Sequence, residues 1–164
     1  MDIYLVQHAE SRSKEEDPRR PLTDKGFDDI EKMAYFARNN AGLNILKIYH
    51  SGKLRARQTA DVLSAGLRPV GGVEEAGDLD PLADPAIWAE RISKGEGGIM
   101  LVGHLPHLAG LAGLLLGGDK ANNPINFHNA GIVKMIRDSE LRWSIDWIVV
   151  GSMVGSKGIP GGSL

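Results

Sequence analysis

The sequence predicts an α/β domain, a three-layer α/β/α sandwich on a mainly parallel sheet that ends in a C-terminal hairpin. Three observations predict it. Two apolar runs, Ile3-Tyr4-Leu5-Val6 and Ile99-Met100-Leu101-Val102, have the length and β-branched content of buried strands. Stretches with apolar residues at helical spacing separate the strand-like runs, the alternation that builds parallel sheets. Near the end, 132–136 and 143–149 read as strands joined by the charged turn 137–142, a hairpin rather than a crossover.

Taken in order, the first strand leads into a polar, charged loop over 11–20. Thr23 then reads as the N-cap of a helix carrying Phe27, Ile30, Met33, Ala34 and Ala37 on one face, stopped at 39–42. A second strand over 45–49 runs into His50-Ser51. The stretch 52–63 follows as a helix with Ser51 near its N-cap and its positive end toward the ligand edge of the sheet. A weaker strand is expected over 70–76, before the acidic turn Gly77-Asp78-Leu79-Asp80-Pro81. Asp84 and Pro85 open a helix over 84–92. An apolar, buried helix is expected over 105–116, ended by Gly117-Gly118. Trp143 and Trp147, four apart on one strand, should share a face and pack under a helix. The expected organisation is one domain over 1–150 and a flexible glycine-rich tail over 151–164.

Composition narrows the function classes. At 164 residues the chain is long enough for one real core. With 24% charged residues and a net charge of -2, nucleic acid and anionic membranes are not expected partners. No cysteine is present, which removes disulfides, thiolate metal sites and cysteine nucleophiles. No secretory signal is visible, and the apolar run 108–116 is too short to span a bilayer, so a cytoplasmic location is expected.

The chemistry concentrates at three strand ends. His8, His50-Ser51 and His104 follow apolar runs, and in parallel α/β sheets ligands bind at the carboxyl ends of strands. Arg55 lies about one helical turn beyond Ser51 and can share that helix's N-terminal anion site. Either histidine alone could merely cap a strand. Two histidines and an arginine on one edge suit a phosphoryl group, with a neutral imidazole as nucleophile and cations on the oxygens. His104 and His107 could be read as metal ligands, but Pro106 between them and the missing glutamate spoil the zincin pattern. The stretch 113–120 has Asp119 where a phosphate loop needs lysine. His128 reads as a surface histidine.

Four segments carry a family resemblance: Leu5-Val6-Gln7-His8-Ala9-Glu10, Arg20-Pro21-Leu22-Thr23-Asp24-Lys25-Gly26, the run from Ser51-Gly52-Lys53-Leu54-Arg55 to Thr59, and Gly103-His104-Leu105-Pro106. In this order, over residues 5–106, they resemble the histidine phosphatase, or phosphoglycerate mutase-like, superfamily. The small size is most similar to its SixA-type phosphohistidine phosphatases. The resemblance implies a phosphoglycerate mutase-like fold and a metal-independent transfer through phosphohistidine. His8 would be the nucleophile, with His104 and Arg55 as catalytic groups on the phosphoryl oxygens. Gln7, Arg20 and Ser51 would bind phosphate, and Asp78 stands where the family often has an acid. No metal or cofactor is implied.

One departure bears on rate. The family has arginine immediately before the nucleophile and this chain has Gln7. One preorganised donor is worth roughly 10²–10³ in rate, and a lost charge could cost as much. Arg20 could offset part of it. Gly52 replaces the usual proline, a backbone matter. The expected partner is a phosphorylated protein bearing phosphohistidine. The alternatives are a small phosphorylated molecule as substrate, or a phosphate- or phosphoprotein-binding protein with little turnover.

Overall fold

A computed structural model of the chain describes residues 1–40, 42–95 and 97–154. Six strands, β1 (Asp2–Gln7), β2 (Lys47–His50), β3 (Val73–Glu75), β4 (Ile99–Gly103), β5 (Ile132–Arg137) and β6 (Trp143–Val149), form one sheet in the order β3-β2-β4-β1-β5-β6. The first four are parallel to one another. β5 runs antiparallel to β1, and β6 to β5, which closes the sheet with the anticipated hairpin.

The period-2 alternation of β1 divides the core in two. Tyr4 and Val6 face α1 (Asp24–Asn40) and α2 (Leu54–Leu67), where Ile30, Met33, Ala60 and Leu63 meet them. Ile3 and Leu5 face α3 (Ala86–Ser93) and α4 (His107–Gly117), through Trp88, Ile92, Leu108 and Leu111. Each fully buried Val, Ile, Leu or Met side chain among these contributes roughly 1.5–3 kcal/mol. The three-layer sandwich is therefore the way this sheet covers both faces.

Several local expectations shift. β3 is shorter than 70–76, and Val70 is 89% exposed. α2 runs four residues past the expected end at 63 and stops where Arg68 turns left-handed, its N–H donating to the Ser64 carbonyl. α4 begins at His107, two residues later than expected. The two tryptophans lie on opposite faces. Trp147 pairs with Lys134 but Ile145 pairs with Met135, so Asp146 is an extra residue that reverses the alternation. Trp147 consequently meets Tyr4 on the α1/α2 side, while Trp143 packs on the α3/α4 side. The stretch expected to be a tail begins as structure: Gly151–Met153 is a 3₁₀ turn and Val154 packs against the α1/α2 core. Residues 155–164 of that expected tail lie outside the described residues.

The N-terminus of α1 docks on the loop after β1. Thr23 caps it as expected, its Oγ1 accepting from Gly26 N over 3.0 Å and donating to Glu10 Oε1 over 2.8 Å. A Cβ at Gly26 would stand 2.1 Å from the Glu10 carbonyl oxygen, so only glycine permits this approach. The loop that carries the first histidine is thereby tied to a helix.

Candidate active site

Sheet register creates the site. Gln7 is opposite Gly103 and His50 is opposite Val102, so His8, Ser51 and His104 leave three adjacent strands at the same edge. The backbone continues the ladder past the last pair, with His8 N–H donating to the Gly103 carbonyl and Ser51 N–H to that of Val102. The His8 and His104 ring centroids are 5.0 Å apart at an interplanar angle of 57°.

The hydrogen bonds determine the tautomer of His8. Its Nδ1 is 2.7 Å from the Ala9 carbonyl, which can only accept, so Nδ1 carries the proton. Arg55 Nε–H donates to Nε2 over 3.1 Å, and a guanidinium can only donate, so Nε2 presents its lone pair. Burial, followed by the Arg55 and Arg20 charges, pushes the His8 pKa down to about 4 against the opposing Ala9 bond. His8 is thus neutral at pH 7, with its Nε2 lone pair at the cation.

His104 Nε2 lies 2.5 Å from Ser51 Oγ, and its Nδ1 is buried without a partner. Burial first, then the charges of His8, Arg55, Lys53 and Arg20, lower its pKa to about 3. Arg55 is held below its usual value by burial and by Arg20. Like charges gathered around two neutral imidazoles make a site whose electrostatic energy falls when an anion enters.

The sequence-predicted residues do not all converge. His8, Arg55 and His104 form the centre. Arg20, whose φ of 52° puts a non-glycine residue in the left-handed region, donates from Nε to the Arg12 carbonyl over 3.1 Å. Its charge reaches both histidines. Gln7 is at the edge of the site, with Oε1 buried and unpartnered. Ser51 is not the side-chain cap of α2. That position belongs to Lys53, which has no side-chain cap bond, and the Ser51 hydroxyl is occupied by His104. Asp78 is tied elsewhere: Trp88 Nε1–H donates to Oδ1 over 3.0 Å and Arg91 Nη2 lies 2.8 Å from Oδ2. His50 turns its Nδ1 to the Ser51 carbonyl, 2.6 Å away, and His128 is exposed.

Five residues escape a reading by linear spacing. Thr59 Oγ1 accepts from Ala9 N over 3.0 Å and donates to the Arg55 carbonyl over 2.7 Å, linking the turn after His8 to the helix of Arg55. Asn129 Nδ2 donates to the His8 carbonyl over 2.8 Å, from 121 residues away. Ala130, with φ 59°, donates its N–H to the Gln7 carbonyl over 3.1 Å. Lys53 and Asp80 pair 3.2 Å apart. Thr59 and Lys53 stand in the motif that runs from Ser51 to Thr59 and Asp80 in the acidic turn, but nothing in the sequence marks Asn129 and Ala130. Among the described residues no group of three or more histidine and carboxylate side chains could hold a metal ion. Nor is any described helix long and apolar enough to cross a membrane.

Comparison with known proteins accords with this geometry. No family model matches the chain. An uncharacterized protein of Picosynechococcus sp. is 32% identical over 142 residues, covering 81% of this chain and 83% of its own. The structure of the protein histidine phosphatase SixA complexed with tungstate superposes with a TM-score of 0.81 at 22% identity, over 94% of this chain and 100% of that one. A structure from Escherichia coli, assigned as an alpha-ribazole-5'-P phosphatase, gives a TM-score of 0.75 at 13% identity over 94% of this chain and 99% of that one. The chain belongs to one family with the Picosynechococcus protein, and its fold is that of the histidine phosphatase, or phosphoglycerate mutase-like, superfamily.

Proposed function

We propose that the chain is a metal-independent phosphatase that works through phosphohistidine at His8, with phosphohistidine on a protein as its substrate. The observation that carries this reading is the state of His8, neutral, Nδ1-protonated and holding its Nε2 lone pair against Arg55. When a phosphoryl group enters, the Arg55 bond passes to a phosphoryl oxygen and frees that lone pair. Nε2 attacks phosphorus and an N–P bond forms as the bond to the leaving group breaks. The electron pair departs with the leaving group. Water then attacks the phosphorus of phospho-His8, returning the pair to Nε2 and releasing inorganic phosphate. Arg55, Arg20 and His104 hold the equatorial oxygens.

The state of the acidic turn favours the phosphohistidine substrate. The alcohol of a phosphomonoester leaves as an alkoxide and needs a proton donor, whereas the imidazole of phosphohistidine can depart already protonated. Both carboxylates of the turn are ion-paired, Asp78 with Arg91 and Asp80 with Lys53. Gln7, a neutral group where the resemblance leads one to expect arginine, favours as second reading a phosphoprotein-binding module with little turnover.

Turnover of an aryl phosphate and of a phosphohistidine peptide, measured in EDTA for the wild type beside His8→Ala, decides among these. The proposal expects hydrolysis that the substitution abolishes, with the peptide preferred. Vanadate binding without turnover of either substrate would establish the binding module instead. A preference for small phosphomonoesters would replace the protein substrate.

A further inference from the structure

Two of the side chains around the phosphoryl site, Gln7 and Ser51, are neutral, and so are both imidazoles at pH 7. A phosphoryl dianion needs more compensation than this, and Arg55 and Arg20 supply part of it. A third cation stands at the start of α2. Lys53 occupies the N-cap, between Ser51 and Arg55, the two residues that bond the site's histidines. Its backbone N–H donates to Ser51 Oγ over 3.4 Å, the same hydroxyl that meets His104.

We propose that Lys53 is a ligand of the transferring phosphoryl group, supplying positive charge where Gln7 supplies none, and that Asp80 holds its ammonium in place. The inference rests on the phosphoryl-transfer reading above. The ammonium lies 3.2 Å from Asp80 Oδ2, which occupies one of its three donors and leaves two for an oxyanion. The Lys53 side chain is 45% exposed, so those donors are accessible. Asp80 is itself held by the 3₁₀ turn Gly77–Leu79, its N–H donating to the Gly77 carbonyl over 3.3 Å. Its second oxygen, Oδ1, is buried with no hydrogen-bond partner. A carboxylate oxygen left unbonded is costly, and nearby positive charge is what compensates it. Asp80 pairs with Lys53 and its charge acts on Arg55, so this carboxylate faces the site's cations while Asp78, two residues earlier, is bound by Arg91 and Trp88. The charge of Lys53 also reaches His104. The bland alternative is a surface ion pair, a class that contributes little.

The test is calorimetric binding of orthovanadate and of inorganic phosphate to the full chain, as wild type, His8→Ala, Lys53→Met, Lys53→Arg, Gln7→Arg and the double variant Lys53→Met/Gln7→Arg. Thermal melts verify that each is folded. One charge-assisted hydrogen bond corresponds to roughly 10- to 100-fold in affinity. Lys53→Met is expected to weaken vanadate by that factor and to reduce the salt dependence of binding. Lys53→Arg should keep most of the affinity, and Gln7→Arg should restore it in the double variant by returning the charge from the neighbouring strand. Wild-type affinity in Lys53→Met, or a loss that neither arginine variant restores, would overturn the assignment. If the wild type binds vanadate and His8→Ala weakens it while Lys53→Met does not, only Lys53 falls. If the wild type binds neither anion, the phosphoryl-transfer reading falls with it.

Discussion

Arg55 Nε and His8 Nε2 stand 3.1 Å apart, a guanidinium donor on the lone pair of a neutral imidazole. On the proposed function the pair is poised, since the cation that occupies Nε2 would also attract the phosphoryl group. Arg55→Lys keeps a charge but loses the planar fork, so kcat/KM should fall roughly 10²–10³-fold in Arg55→Ala and substantially in Arg55→Lys. Burial is the larger cause of the depressed His8 pKa, and Arg55 adds to it. Removing that charge should therefore raise the His8 pKa from about 4 toward its ordinary value and move the acid limb of the kcat/KM profile to higher pH. A limb that stays in place would remove His8 from the rate-determining ionisation.

The two depressed histidines also predict how stability responds to acid. In the native state His8 and His104 gain protons only near pH 4 and 3, whereas in the unfolded chain they do so near 6.5. Between those values the unfolded state binds more protons, so stability should fall as pH drops from about 6.5 and be fully present above it. Urea midpoints at pH 7 and pH 5 measure this. His8→Asn/His104→Asn should flatten the difference.

Thr59 joins Ala9 to Arg55 through one hydroxyl. Thr59→Val, nearly isosteric, leaves the buried Ala9 N–H without its partner at a cost of about 1–3 kcal/mol in stability. It should also lower kcat more than it raises KM, because it loosens the nucleophile against the arginine rather than removing a substrate contact. Thr59→Ser retains the hydroxyl and should recover kcat. Kinetics of the two variants at matched folded fraction separate positioning from mere packing.

Asp78 receives Trp88 Nε1–H and Arg91 while standing where an acid is expected. Asp78→Asn should lower the thermal midpoint and leave the ratio of phosphohistidine to phosphomonoester turnover unchanged. A selective loss of phosphomonoester turnover would return Asp78 to the role of proton donor.

The centre of the site was legible because each of its parts is a local pattern. An apolar run ending in histidine places that histidine at a strand end, and Arg55, in the first turn of the following helix, inherits its position from Ser51. Thr23 is likewise a local signal, since capping acts within four residues. The same local logic did not reveal the partners of Asp78 and Ser51. Their spacing was right, but a side chain's partner is chosen among all elements that pack nearby, and Arg91 and His104 were not visible from the turn or the helix start.

Tertiary structure decided the rest. Asn129 reaches the His8 carbonyl only because β5 returns antiparallel beside β1. Trp143 and Trp147 separate because Asp146, an extra residue in β6, reverses a period of two that sequence spacing assumes unbroken. Lys53 meets Asp80 because β2 and β3 pair in parallel and deliver their following turns to one edge. Periodicity and capping depend on neighbours along the chain and are written in the sequence. Register, bulges and ion pairs between elements depend on how those elements pack, and only the folded chain resolves them.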